Sequence, residues 1–263
     1  MGEAKDRLNL SRRIRLEQPQ CIFCGGVRPS ETVDHYPPIV MFDRRQRPKD
    51  LLFGACKGCN EGSRKADLIA AFLSRIFPDS DSELVRAEVS RLAKKVLNIP
   101  GFADEVYPEW NQLGVLSRLG GTAHALPSWH FLRINSGPIV SGAMEIFGCK
   151  LALAMHYATT GQIIPPEGAI AATWYSNLQA FQGELPVEFL QLLGPGRTLT
   201  QGKFEVSRQF RVASVVGENG RLSGHFAVFR EAFGIVMFAA ADASMMLREY
   251  ARSPGFFRAP SQE

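Results

Sequence analysis

Four of the five cysteines fall into two Cys-x2-Cys pairs, Cys21–Cys24 and Cys56–Cys59. No other feature of the chain restricts its fold as tightly. Each pair presents two sulfurs on one short turn, and two such pairs can close a tetrahedral zinc site with Zn–S distances of about 2.3 Å. The segment between the pairs, residues 25–55, is longer than the insert of a plain zinc ribbon, so something must fold inside the frame. A closed four-sulfur site has no open position for a substrate. Its zinc is therefore structural, contributing on the order of 10 kcal/mol to folding. Reduced, buried cysteines and a disulfide framework are the other readings of these residues; disulfides suit small secreted domains better than a chain of this length.

Inside and just behind that frame stand Asp34-His35, Asn60 directly after the last cysteine of the second pair, and Lys65. Taken singly, each has an ordinary structural role. Asp34 suits a turn, His35 a packed or exposed position, Asn60 a helix N-cap and Lys65 a solvated helix face. Taken together, Cys-x2-Cys, Asp34-His35-Tyr36-Pro37-Pro38, Cys56-Lys57-Gly58-Cys59-Asn60 and the following Lys65 resemble the zinc-stapled HNH endonucleases. The resemblance covers roughly residues 19–70. It implies a ββα-metal unit, in which a hairpin carries Asp-His and a helix begins near the last cysteine.

The resemblance also implies roles. Asp34 and Asn60 would ligate a catalytic Mg²⁺ or Mn²⁺, ions that take hard oxygen donors. His35 would be the general base on the attacking water, a task for which an imidazole of pKa about 6.5 is suited near neutral pH. Lys65 or Arg64 would neutralise charge in the transition state. Two features of many relatives are missing: no Asn lies in segment 49–55 ahead of Cys56, and Arg64 stands where a second histidine is common. The implied function is metal-dependent hydrolysis of phosphodiester bonds in DNA, with DNA favoured over RNA. The alternatives are a zinc-stapled nucleic-acid-binding module that does not cut, and a zinc knob supporting a protein-interaction domain.

Charge is distributed in keeping with a phosphate-rich partner. Residues 1–67 carry 13 Lys and Arg against 9 Asp and Glu, whereas the remainder holds 17 of each. The excess lies in the cysteine-framed part. Arg44, Arg45, Arg47 and Lys49, in an expected loop beside Asp34-His35, are the favoured phosphate contacts, with Arg64 and Lys65 on the following helix. A solvated basic face is the plainer reading. The hydrophobic fraction of 45% is that of a globular chain. The first twenty residues are charged, without the apolar core of a signal peptide, and no long uncharged apolar run points to a membrane. Paired thiols suggest a reducing, cytoplasmic setting, and Cys149, in an apolar run, reads as a buried thiol. His124, His130, His156 and His225 show no metal spacing.

The expected fold class is α+β: an N-terminal ββα-metal HNH module with its four-cysteine zinc site, then helices, then a C-terminal α+β domain with an antiparallel sheet. A basic arm spans 1–18, the module with its following helices 19–97, a linker 98–110 and the α+β domain 111–263. Hydrophobic periodicity predicts helices over 63–77, 83–97, 113–119, 141–160 and 185–193. Strands are expected at 130–134, 204–216, 221–229 and 233–240, with Asn219-Gly220 as a hairpin turn. The tail from Arg252 reads as loose. The C-terminal part shows no nameable chemistry. By elimination it determines specificity, or binds a protein partner or a second copy of the chain.

Overall fold

A two-stranded hairpin lies inside the cysteine frame. β1 (Thr32–His35) pairs antiparallel with β2 (Leu52–Ala55), placing Asp34 opposite Phe53 and His35 opposite Leu52. The computed structural model describes residues 2–48, 50–75, 83–106, 136–196, 199–201 and 204–259. The basic N-terminal stretch is a helix, α1 (Gly2–Glu17), that packs along the hairpin. Gln18 follows it and stitches β2: its Oε1 accepts from the Gly54 N–H at 2.6 Å and its Nε2 donates to the Leu52 carbonyl at 3.3 Å. After β2 come α2 (Lys57–Gly62) and α3 (Arg64–Leu73). Ala66, Ile69, Ala70 and Leu73 are buried; this spacing puts one helical stripe against the core.

Two further helices follow, α4 (Glu83–Val96) and α5 (Phe102–Val106). The segment expected as a linker thus contains α5, whose Phe102 is buried edge-on against Phe72 of α3. The helix expected at 113–119 and the strand at 130–134, with His124 and His130, lie outside the described residues.

The C-terminal part is built on one long helix, α6 (Pro138–Thr160). Proline opens it and Gly161, at φ 70°, closes it in the left-handed conformation. The Glu105 carboxylate of α5 accepts from the Ile139 and Val140 N–H groups at 2.8 and 2.7 Å, satisfying the first turn. By length and composition α6 could cross a membrane, but 67% of its most apolar window is buried within the fold. It lies on a four-stranded antiparallel sheet of order β3-β8-β7-β6, formed by Ala169–Ser176, Phe233–Ala240, Leu222–Phe229 and Arg211–Val216. Gly148 permits the close approach: a Cβ there would stand 2.6 Å from the Ala172 Cβ.

An antiparallel sheet of at least three strands was expected, and four are present. β3 is the addition, and the strand expected over 204–216 is interrupted, with two-residue strands β4 (Thr200–Gln201) and β5 (Phe204–Glu205) forming a separate pair ahead of β6. The β6–β7 turn carries Asn219 at φ 64° and Gly220 at φ 69°, the left-handed residues that Asn-Gly signals, in a loop longer than the two-residue hairpin and closed by the Gly217 N–H on the Leu222 carbonyl at 2.8 Å. Two short helices, Asn177–Phe181 and Val187–Leu192, flank the sheet.

A single buried cluster runs from Cys21 through α3, α6 and the sheet to Phe257. The tail expected to be loose is held as far as Ala259. Arg252 bridges to Ile170, Phe257 is buried, and the Ala259 N–H donates to the Gly58 carbonyl at 3.1 Å. This strap passes so close to α2 that a Cβ on Gly62 would lie 2.0 Å from the Phe257 carbonyl oxygen.

Candidate functional site

The cysteine cluster is assembled from two turns. The first pair sits on a 3₁₀ turn, Ile22–Cys24, which Gly25 ends at φ 69°. The second opens α2, with Cys56 as N-cap accepting the Cys59 N–H on its sulfur at 3.5 Å. All four thiols are buried, none is in a disulfide, and their sulfurs lie within 4.8 Å of one another. A tetrahedral zinc with Zn–S of about 2.3 Å needs sulfurs about 3.8 Å apart. The cluster is positioned to hold a metal ion and fits zinc. It uses all four donors, so the centre is a staple.

Asp34 points from β1 to a partner far along the chain. Its Oδ2 accepts from Lys150 Nζ at 2.5 Å, and Lys150 is a fully buried residue of α6. Lys150 also donates to Ser63 Oγ at 2.7 Å and lies 4.9 and 4.7 Å from the ring centroids of Phe23 and Tyr36, so hydrogen bonds and two aromatic faces hold the ammonium. Ser63 donates onward to Asp67 at 2.8 Å. Tyr36 donates to the same carboxylate at 2.9 Å and approaches the Phe147 carbonyl at 3.1 Å. Burial pushes Asp67 up to about 6, with Lys150 working in the other direction.

His35 and Asn60 occupy different surroundings. Successive strand residues face opposite sides, and His35 is influenced by Arg47 where Asp34 meets Lys150. Burial, helped by Arg47, lowers His35 to about 4, so its ring is neutral at neutral pH. The buried Nδ1 has no hydrogen-bond partner among the described residues. Asn60 lies within α2 and is not a helix cap. Its Nδ2 donates across to Thr32 Oγ1 at 3.1 Å, two residues from Asp34 on the same side of β1. Among the described residues none donates to Asn60 Oδ1 or Asp34 Oδ1.

The basic residues are spread around this unit. Arg44 is exposed at φ 51° in the turn Asp43–Arg45, with Arg45 beside it; Arg47 is half-buried and Lys49 lies outside the described residues. That turn is anchored through Asp43, whose Oδ1 accepts from Arg75 at 2.6 Å and from Arg230 at 2.7 Å. Burial would raise Asp43, but the two guanidinium groups outweigh it and hold the carboxyl below its usual range. Arg64 and Lys65 are exposed at the start of α3, Arg64 pairing loosely with Glu61 at 3.6 Å.

Sequence reasoning missed Lys150. Its signal was present: with Glu145, it is one of only two residues of α6 that are Asp, Glu, Lys or Arg, and a charge buried in an apolar helix requires a partner. The C-terminal part holds a second buried polar chain: Ser214 Oγ to His225 Nδ1 at 2.8 Å, His225 Nε2 to Ser223 Oγ at 2.9 Å, and Ser223 Oγ to His156 Nδ1 at 2.7 Å. Burial lowers His156 to about 4; burial and then His156 lower His225 to about 3. No family model matches the chain, nor does any curated protein or solved structure.

Proposed function

We propose that this chain is an HNH-type endonuclease that hydrolyses phosphodiester bonds in DNA. The observation that carries the reading is the placement of Asn60. Its amide nitrogen is spent on Thr32, so its carbonyl oxygen is left beside the strand that bears Asp34-His35, on a hairpin and helix stapled by four cysteines. Asp34 Oδ1 and Asn60 Oδ1 are hard oxygen donors of the kind that Mg²⁺ or Mn²⁺ takes. Such an ion, when bound, would supply charge stabilisation at the scissile phosphate. His35, neutral at working pH, is the group to accept a proton from water, although burial, by lowering its pKa to about 4, makes it a weaker base than a free imidazole. Arg44, Arg47, Arg64 and Lys65, with Arg45 and Lys49 of the same loop, are the residues to meet the nucleic-acid backbone.

A specific observation favours the second reading, a zinc-stapled module that binds nucleic acid without cutting it: Asp34 is already neutralised by Lys150. Supercoiled plasmid decides between them. The endonuclease nicks it only with Mg²⁺ or Mn²⁺, and His35→Ala abolishes nicking while zinc content and melting temperature hold. Salt-sensitive binding without nicking would move the chain to the binding module. Nicking that survives His35→Ala in a clean preparation would remove His35 from the chemistry.

A further inference from the structure

The divalent-cation reading of Asp34 and the position of Lys150 make opposing demands on one carboxylate. Lys150 carries its positive charge to Asp34 from α6, 116 residues further along the chain. It is fully buried, hydrogen-bonded to Ser63 and flanked by the Phe23 and Tyr36 rings. A divalent ion on Asp34 would stand beside a fixed ammonium, and like charges at such range repel strongly where water is excluded. Asp67, the other carboxylate of the network, already takes hydrogen bonds from Ser63 and Tyr36.

We propose that Lys150 is a built-in competitor for the cation position: its ammonium holds Asp34 when no divalent ion is bound and sets how weakly the module binds one. The inference rests on the endonuclease reading of Asp34, and it makes Lys150 a positioning residue that acts through that carboxylate. It also assigns the C-terminal part a role at the site, because α6 carries the competing charge into the zinc-stapled module.

The test is Mn²⁺ binding to the zinc-loaded full chain, followed by the electron paramagnetic resonance signal of free Mn²⁺. Lys150→Gln keeps a side-chain donor and removes the charge. It is expected to bind Mn²⁺ about tenfold or more tightly than the native chain, and the double variant Asp34→Asn/Lys150→Gln is expected to lose that gain. Equal affinities in the native and Lys150→Gln proteins would overturn the proposal, as would a gain that survives Asp34→Asn. Should Lys150→Gln unfold on its own, Mn²⁺ is expected to restore its fold, and the double variant is expected to fold without it. A Lys150→Gln chain still unfolded in saturating Mn²⁺ would sink the idea. Plasmid nicking separates this inference from the reading beneath it. Mn²⁺ held at Asp34 without nicking would refute the endonuclease and leave Lys150 in its role, whereas metal-dependent nicking with an affinity blind to Lys150 would do the reverse.

Discussion

The two sides of α6 treat buried polar groups in opposite ways. Toward the zinc module, Lys150 meets Asp34, Ser63 and two aromatic rings, a charged arrangement. Toward the sheet, His156 enters a chain of hydroxyls and imidazoles held neutral by burial. The difference shows how each side fails. A charged pair is only as sound as both partners, because removing one leaves the other buried and uncompensated. A neutral chain is only as sound as its protonation state. The cysteine side adds a four-sulfur cluster positioned to hold a metal ion; on the sheet side, eight-residue ladders such as β3 on β8 fix the geometry.

The largest effect is expected from breaking the staple. Cys56→Ser should lose zinc, measured by elemental analysis, and forfeit much of the roughly 10 kcal/mol that such a site supplies, seen as a collapsed melting transition. A folded, zinc-free Cys56→Ser protein would show that the four sulfurs do not act together. Next comes the charged side: Asp34→Ala strands Lys150 in the core and should cost about 3–5 kcal/mol in denaturant unfolding, most of it recovered when Lys150→Met is added.

The smallest effect tests the neutral side. His156 and His225 have folded pKa values of about 4 and 3, below the unfolded value, so the unfolded state binds protons more readily. Their contribution is complete above about pH 6.5 and is lost as pH falls through the window toward those folded values. At pH 5 each should have given up on the order of 2 kcal/mol. Stability measured from pH 7 to 5 should fall more gently in His225→Gln than in the native chain; identical slopes would count against a neutral buried imidazole.

How much of this could be read beforehand depended on the range of each interaction. The cysteine cluster was legible because its geometry follows from two local spacings, with only the closure between them left to the fold. β7 and β8 were legible from Val, Phe and Ile runs, and Asn219-Gly220 marked their neighbour's turn by a purely local backbone preference. β3 was overlooked: the three alanines at 169, 171 and 172 weaken the strand signal that Ile170, Thr173, Trp174 and Tyr175 carry, and it is pairing with β8 that fixes the segment as a strand. The break at 206–210 was hidden because Phe204, Val206, Phe210 and Val212 alternate with polar residues as one long strand would. At the site, the Cys-Asn motif located Asn60, but only the structure gives its bond to Thr32. Asp34 was singled out for its neighbour His35, whereas its actual partner is Lys150, at a separation that no motif spans. Phe257 and Ala259 escaped notice because the strap engages α2 through backbone atoms against Gly58 and Gly62, contacts that side-chain patterns do not encode.

That strap bears on how the chain is made. Cys59 leaves the ribosome two hundred residues before Ala259, so the second knuckle can capture its metal early while one flank of α2 stays bare. The flank is covered only when the end of the described chain arrives, and contacts this distant in sequence are slow to form. Folding around α2 therefore has two clocks: closure of the cysteine cluster sets the first, and emergence of the Phe257–Ala259 strap sets the second.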